Sequence, residues 1–322
     1  MPKTTSPVCQ WTSEAEAFKA FATHTGKTQS AGHIKPIHWY VASRLVLEGG
    51  FDPEWITPRP PFRRVSTKKK GVYKHFLEFA PELATGNEQT ILGGLKTKNV
   101  DVVVSAPGLG PVLAVSCKGV TKAFRNLSNR LEETIGECTN LHITYPALVL
   151  GYLAVLRANR DDVDVSSAPR LPAKDDAAAE TPESAGDKVR GGMRKKNDLA
   201  FKGNNEVNDG IERFARALSE MTGRRGVRDE ISRYEAITLV MIEPRGTAAG
   251  SVFEAFPEPN SDLHLSKFFK SLYDQYSERF VTSAPLLSDQ TLRKAWERES
   301  QVFKDFQAKI VGGLGYQPNL QR

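Results

Sequence analysis

The sequence has few of the features that mark membrane, secreted or cysteine-rich proteins. None of its apolar runs approaches the roughly 18 residues of a membrane-spanning helix. The N-terminal residues contain no apolar stretch of the kind found in a secretory signal. The three cysteines are too few and too widely spaced for a disulfide framework or a cysteine zinc site: they are Cys9, Cys117 and Cys138. The six histidines show no paired spacing, so we expect no histidine metal site. We expect a cytoplasmic protein.

The length and the charge leave several kinds of function open. A chain of 322 residues can form one large domain or two unequal ones. Its formal net charge is +6 and its isoelectric point is near 9.1. This modest positive charge suits a polyanionic partner, and it equally suits an ordinary solvated surface.

One segment carries a concentrated positive charge. Between Arg59 and Lys74 there are seven lysines and arginines and no acid, with Phe62 and Tyr73 among them. Cations in such a segment can follow a phosphate backbone, and an exposed basic loop explains the pattern equally well. The candidates for DNA contact here are Lys68, Lys69 and Lys70.

The hydrophobic pattern predicts an α/β fold with a central mixed β-sheet flanked by helices. The predicted strands are 90–95, 100–106, 112–120, 147–156 and 236–243. The second and third form a hairpin, and the fourth follows a helix and should run parallel to its neighbour. The predicted helices are 36–50, 73–84, 121–138, 207–221, 265–280 and 292–310.

Composition divides the chain into four parts. Residues 1–72 form a mostly helical N-terminal portion with the basic loop, and residues 73–158 form the first part of the core. Residues 159–205 are rich in Asp, Ala, Pro, Lys, Gly and Ser, which is typical of a flexible insert. Residues 206–322 complete the core and add C-terminal helices.

Two opposite charges interrupt the predicted hairpin. Asp101 lies in an apolar strand and Lys118 lies near the end of the next, so a hairpin should bring them together. Strand alternation places Ser116 and Lys118 on one face and Cys117 on the other. One explanation is a buried ion pair that holds the hairpin. The other is a catalytic site, because buried ion pairs seldom stabilise more than apolar pairs do.

A catalytic site of this kind requires a second acid. A hard divalent cation such as Mg²⁺ prefers carboxylate oxygens, and a nearby lysine can stabilise charge that develops on a phosphate. On the helix after Lys118, Glu132 flanks the apolar stripe whereas Glu133 points to solvent. Glu132 is therefore the better ligand candidate, and Glu137 on the opposite flank is the alternative.

The hairpin resembles the active-site hairpin of the PD-(D/E)XK nuclease superfamily, and the order of elements is similar to the core of that superfamily. Val100 stands where the motif has proline, and Ser116 replaces its second acid. The CCGG-reading group of type II restriction endonucleases has the same serine and takes its carboxylate from the next helix, fourteen residues after the lysine. In this chain that position is Glu132.

The resemblance implies a restriction-endonuclease-like core and roles for individual residues. Asp101 and Glu132 would hold Mg²⁺, Lys118 would assist the nucleophilic water, and Ser116 would complete the triplet. Superfamily members often add an acid from an upstream segment. Here Glu78, Glu82 and Glu88 are available, and Glu82 is preferred.

Base recognition is less similar to that group. Its Arg-x-acid-Arg segment lacks the acid here, so CCGG specificity is not expected. Arginine suits guanine and asparagine suits adenine in the major groove, and a solvated helix face is an equal alternative. The DNA-contact candidates in this segment are Lys122, Arg125, Asn126, Asn129 and Arg130.

The leading hypothesis is a bacterial, cytoplasmic type II restriction enzyme. It would cleave double-stranded DNA with Mg²⁺ and act as a homodimer on a palindromic site. One alternative is a repair or recombination nuclease that reads DNA structure. The other is a DNA-binding protein with a decayed nuclease core, which the serine at position 116 would favour.

Overall fold

The computed structural model describes residues 13–25, 32–69, 71–86, 88–122, 124–160, 198–305 and 314–321. Its strands in chain order are β1 (Ile56–Thr57), β2 (Phe62–Lys69), β3 (Val72–Phe79), β4 (Gln89–Ile91), β5 (Lys98–Val100), β6 (Val102–Ala106), β7 (Gly110–Val120), β8 (Val149–Arg157) and β9 (Ala236–Ile242). Its helices are α1 (Glu14–Thr23), α2 (Lys35–Leu47), α3 (Leu127–Thr144), α4 (Asp209–Glu220), α5 (Leu265–Ser277), α6 (Ser288–Thr291) and α7 (Gln301–Asp305).

A mixed sheet forms the centre of the fold, as predicted, and it has five strands. The strand predicted at 90–95 is not one of them, because Gln89–Ile91 forms β4 in a separate sheet. The strand order is β1-β6-β7-β8-β9, with antiparallel pairing from β1 to β7 and parallel pairing from β7 to β9. The predicted parallel entry of β8 is confirmed. Two separate two-stranded sheets, β2–β3 and β4–β5, lie outside this central sheet. In the described ranges, no helix has both the length and the apolar character needed to cross a membrane.

The central sheet has a hydrophobic core on each face, because successive strand residues point to opposite sides. Val115, Leu153 and Val240 share one core with residues of α1, α2 and α5. Leu150 and Leu239 share the other core with residues of α3 and α4. Helices therefore cover both faces, which is the layer arrangement expected for an α/β fold.

A network of buried charges holds the start of β8 near the start of β9. Glu235 is fully buried and pairs through Oε1 with Arg224 Nη1 at 2.8 Å and with Arg279 Nη2 at 2.6 Å. Its Oε2 accepts a hydrogen bond from the backbone N–H of Leu150 at 2.7 Å and lies 3.6 Å from His142 Nε2. Burial raises the pKa of Glu235, but His142 and Arg279 outweigh burial and the net pKa is lowered. The group therefore stays ionised in the fold.

The predicted helix at 73–84 is wrong. Residues Val72–Phe79 form β3, and Pro81–Leu83 form a short 3-10 turn. Every residue of β3 pairs with β2, from Phe62↔Phe79 to Lys69↔Val72. Phe62 and Leu77 on one face of this hairpin are fully buried in the core, so tertiary packing overrides the local pattern.

The predicted helix at 292–310 is also wrong over its first nine residues. Three backbone N–H groups there bond to distant segments: Lys294 N–H donates to Gly50 O, Trp296 N–H to Asn319 O and Glu297 N–H to His75 O. Residues Gln301–Asp305 form the short helix α7, and residues 306–313 lie outside the described part of the chain.

Two domain boundaries change as well. The N-terminal portion is less helical than predicted, because β1 and β2 follow α1 and α2. Most of the predicted insert, residues 161–197, lies outside the described residues. Its two ends belong to the core: Asn159, Ala200 and Phe201 are buried.

Candidate active site

The site lies where the pairing between β6 and β7, the two strands of the predicted hairpin, ends. β6 pairs with β7 only as far as Val102, which lies opposite Val115. Asp101 separates β5 from β6, and its Oδ2 accepts a hydrogen bond from the backbone N–H of Cys117 at 2.7 Å. The carboxylate thus takes the place of a strand partner for β7. This contact fixes a buried acid at the end of a strand.

Lys118 meets the same carboxylate, as the hairpin predicted. Its Nζ lies 3.0 Å from Asp101 Oδ2. Burial alone lowers the pKa of Lys118, but the negative charges of Asp101 and Glu137 outweigh it, so the pKa is raised. The side chain therefore carries a positive charge at neutral pH. About a quarter of the side chain (27%) is exposed, so Lys118 is not sealed from solvent.

The other oxygen of Asp101 faces a different group. His38 Nε2, on α2, lies 3.6 Å from Asp101 Oδ1. One ligand atom each from His38, Glu88 and Asp101 lie within 4.8 Å of one another. His38 and Asp101 are buried, whereas Glu88, just before β4, is exposed. These three side chains form a candidate cation site.

Two of these side chains also line a small cavity. The cavity has a volume of about 30 Å³ and is lined by His38, Glu88, Lys35 and Trp39, among others. His38 Nε2 is buried, and no residue that the structure describes gives it a hydrogen-bond partner. Burial lowers the pKa of His38 to about 4, so the imidazole is neutral at pH 7 and can donate a nitrogen lone pair. The donor set fits a divalent cation.

Ser116 points to a carboxylate on α3, but the residue is Glu137. Ser116 Oγ donates a hydrogen bond to Glu137 Oε1, and Lys98 Nζ lies 2.7 Å from Glu137 Oε2. Glu137 is buried, with 5% of its surface exposed. The helix therefore brings an acid beside the serine from the flank that the sequence analysis rated second.

The predicted ligands Glu132 and Glu82 lie elsewhere. Glu132 is exposed on α3, and in the described part of the chain it makes no hydrogen bond or ion pair. Glu82 is exposed in the turn after β3, where it pairs with Arg63 at 2.9 Å. α3 begins at Leu127 and not at residue 121. Its buried face includes Thr134, Cys138 and Leu141, whereas Ile135 is exposed, so this face is turned toward Glu137 and away from Glu132.

The predicted DNA-contact residues before and within α3 are mostly on the surface. Lys122, Asn126, Asn129 and Arg130 are exposed. Arg130 is paired with Glu133 at 3.0 Å. The side chain of Arg125 lies outside the described residues. The exposed set forms a polar surface at the start of the helix that carries Glu137.

The basic segment is the hairpin β2–β3, and much of its charge is neutralised. Of the five cations whose side chains the structure describes, four lie within 4 Å of carboxylates: the pairs are Arg59–Glu54, Arg63–Glu82, Arg64–Asp52 and Lys74–Glu297. Lys68 is exposed and lies 5.0 Å from the centre of the Tyr73 ring. The Lys69 side chain and all of Lys70 lie outside the described residues. Any phosphate contact would therefore concentrate near the tip of the hairpin.

Sequence reasoning missed His38 and Lys98 and ranked Glu88 below Glu82. His38 is distant from Asp101 in sequence and stands in no histidine motif. The only available signal was its position as a polar residue in a helix that is apolar on nearly all sides. Such a residue is buried with a partner or for a function.

Comparisons with protein-family models, curated proteins and solved structures find no match to this chain. The functional proposal therefore depends on the geometry and chemistry of the site.

Proposed function

We propose that this protein is a metal-dependent endonuclease that hydrolyses phosphodiester bonds of double-stranded DNA. The observation that carries the proposal is the placement of Asp101 between two groups. One oxygen is bound by the ammonium group of Lys118 at 3.0 Å. The other oxygen faces His38 and Glu88, with which Asp101 can hold a cation.

The site residues would divide the chemistry between them. Asp101 and Glu88, with His38, would hold the cation. When bound, a divalent cation activates water and neutralises charge on the phosphate. Lys118 stays cationic beside Asp101, so its ammonium group would orient a water molecule or stabilise negative charge developing on the phosphate. Ser116 and Lys98 would hold Glu137 in a fixed orientation next to that lysine.

Duplex DNA is the proposed substrate because exposed polar side chains lie just before α3 and in its first turn. Asn126 and Asn129 offer the amides that suit adenine edges, and Lys122 offers a cation for phosphate. A homodimer would present two such sites for the two strands. A restriction enzyme remains the preferred subclass, with Mg²⁺ as the predicted cofactor.

A cleavage assay with matched variants tests the proposal. Unmodified phage DNA and a four-way DNA junction are incubated separately with the protein and Mg²⁺, Mn²⁺ or EDTA. We expect discrete duplex fragments with a dication, none with EDTA and cleavage at least about a hundredfold slower with Lys118→Met. Preferential cutting of the junction would move the assignment to a structure-specific nuclease. Intact DNA under every condition, with a retained gel shift, would refute catalysis and leave a DNA-binding protein.

A further inference from the structure

The cation group is notable for its nitrogen atom. Mg²⁺ and Ca²⁺ sites in proteins are built from oxygen ligands, whereas imidazole suits first-row transition metals. Of the three candidate ligands here, one is the ring nitrogen of His38 and two are carboxylates, from Glu88 and Asp101. This donor set differs from the oxygen set that Mg²⁺ prefers.

The nitrogen is also positioned as a ligand atom would be. His38 Nε2 is buried and has no hydrogen-bond partner among the described residues, although an unsatisfied buried polar atom is costly. Its nearest acidic oxygen, Asp101 Oδ1, lies at 3.6 Å, which is too long for a hydrogen bond. A cation between the two atoms would satisfy both.

The dimensions are compatible with one ion. Ligand bonds of about 2.1–2.2 Å place ligand atoms on opposite sides of an ion about 4.4 Å apart, and neighbouring ligands closer. The three atoms lie within 4.8 Å of one another, so small side-chain adjustments suffice. The adjoining cavity of about 30 Å³ leaves room for an ion.

The two oxygens of Asp101 keep the cation and the lysine apart. Lys118 and the backbone N–H of Cys117 both bind Oδ2, which leaves Oδ1 toward His38. Positive charge from Lys118 and from Lys35, which lines the cavity, opposes a cation. The carboxylates of Glu88 and Asp101 offset it, and the nitrogen then decides which cation binds best.

We propose that His38, Glu88 and Asp101 bind a transition-metal dication of the Mn²⁺ or Co²⁺ type in preference to Mg²⁺, and that they do so before DNA binds. The inference deepens the proposed function by naming its cation, and it rests on that function only for its biological use. Its test involves no cleavage, so the two proposals can fail separately.

The test is a titration of the full chain, freed of metal by EDTA and dialysis, with Mn²⁺. The free-ion electron paramagnetic resonance signal reports how much Mn²⁺ is bound, and Mg²⁺ is added as competitor. We expect one bound Mn²⁺ per chain and Mn²⁺ affinity at least about tenfold above that for Mg²⁺. Electron spin echo modulation should show a directly bound nitrogen.

Two variants and one control identify the ligands. His38→Asn and Glu88→Gln should each weaken Mn²⁺ binding at least about tenfold, and His38→Asn should abolish the nitrogen modulation. Glu88 is exposed, so its variant should fold even if the buried His38 substitution does not. His264→Asn is the control, because His264 also faces a glutamate, Glu254 at 3.3 Å, but away from this group.

Each outcome decides the inference. Equal affinity for Mn²⁺ and Mg²⁺, no nitrogen coupling in the wild-type protein, or unchanged binding in Glu88→Gln would overturn it. If the protein binds Mn²⁺ as expected but cuts no DNA, the metal site stands and the nuclease assignment falls.

Discussion

Replacing Lys118 by methionine separates a catalytic site from a structural ion pair. Loss of one partner of a buried pair costs about 3–5 kcal/mol, and a hydrogen bond to a charged group contributes about 1.5–3 kcal/mol. Here the lysine is 27% exposed and Asp101 keeps the Cys117 N–H, so water and the backbone still solvate the carboxylate. We expect Lys118→Met to lower the free energy of unfolding by about 2 kcal/mol.

That loss should leave the protein folded, since domains are commonly stable by about 5–15 kcal/mol. Cleavage should fall about 10²–10³-fold, as when one charge-stabilising donor is removed from an active site. Urea unfolding followed by tryptophan fluorescence and single-turnover cleavage measure the two effects on the same preparation.

Lys74→Met provides the matched control. Lys74 Nζ lies 3.0 Å from Glu297 Oε2, and that carboxylate is 7% exposed, as is Asp101. A similar loss of stability with unchanged cleavage is expected. The reasoning would be refuted if Lys118→Met cleaved DNA at the wild-type rate. It would also be refuted if that variant unfolded and Asp101→Leu with Lys118→Met restored full stability, as expected for a purely structural pair.

Further expectations concern three glutamates. Glu132→Ala should leave the cleavage rate unchanged and should change the free energy of unfolding by no more than about 0.5 kcal/mol, because the side chain is exposed. A hundredfold loss of cleavage would instead support its predicted role as a ligand. Glu137→Gln should reduce cleavage and destabilise the protein by about 2 kcal/mol, measured by urea unfolding, since a buried charge with two partners is lost; wild-type stability would contradict its placement. Glu235→Gln should cost about 3 kcal/mol at pH 7. His142 and Arg279 hold the pKa of Glu235 below 4.5, so this stabilisation is complete above pH 4.5 and is lost as the pH falls through the lowered value. Urea midpoints of both proteins from pH 7 to 3 should therefore converge, and a constant difference would contradict the assignment.

The central sheet could be predicted from sequence because its strands are continuous apolar runs. β8 and β9 are buried along nearly their whole length, and such runs allow few alternatives. The contact between Asp101 and Lys118 could be predicted for a related reason. Strand alternation and a short turn leave little freedom in how the two residues face each other.

The rest of the site depends on contacts that no local pattern encodes. His38 reaches Asp101 through the packing of α2 on the sheet, and Glu88 reaches it from the connection after the β2–β3 hairpin. The choice between Glu132 and Glu137 depended on which face of α3 is buried. Tertiary packing buries the polar Thr134 and leaves the apolar Ile135 exposed, so apolar spacing alone does not locate that face. Residues 292–300 were misassigned because their backbone partners, such as Gly50 for Lys294, lie far away in the chain.

The position of Asp101 directly before β6 has a consequence for how the protein unfolds. His38 comes from the helical layer on one face of the sheet, Glu137 comes from the layer on the other face, and Asp101 lies in the sheet between the two layers. Detaching either layer would dismantle part of the site, so a partly unfolded molecule cannot retain all of it. A bound ion would be held by His38, Glu88 and Asp101, so it should oppose detachment of the α2 layer and global unfolding of the chain. At a concentration 100 times its dissociation constant, it would add about 2.7 kcal/mol to global stability. The slowest-exchanging amides of both layers would then slow together, with that of Cys117 among them.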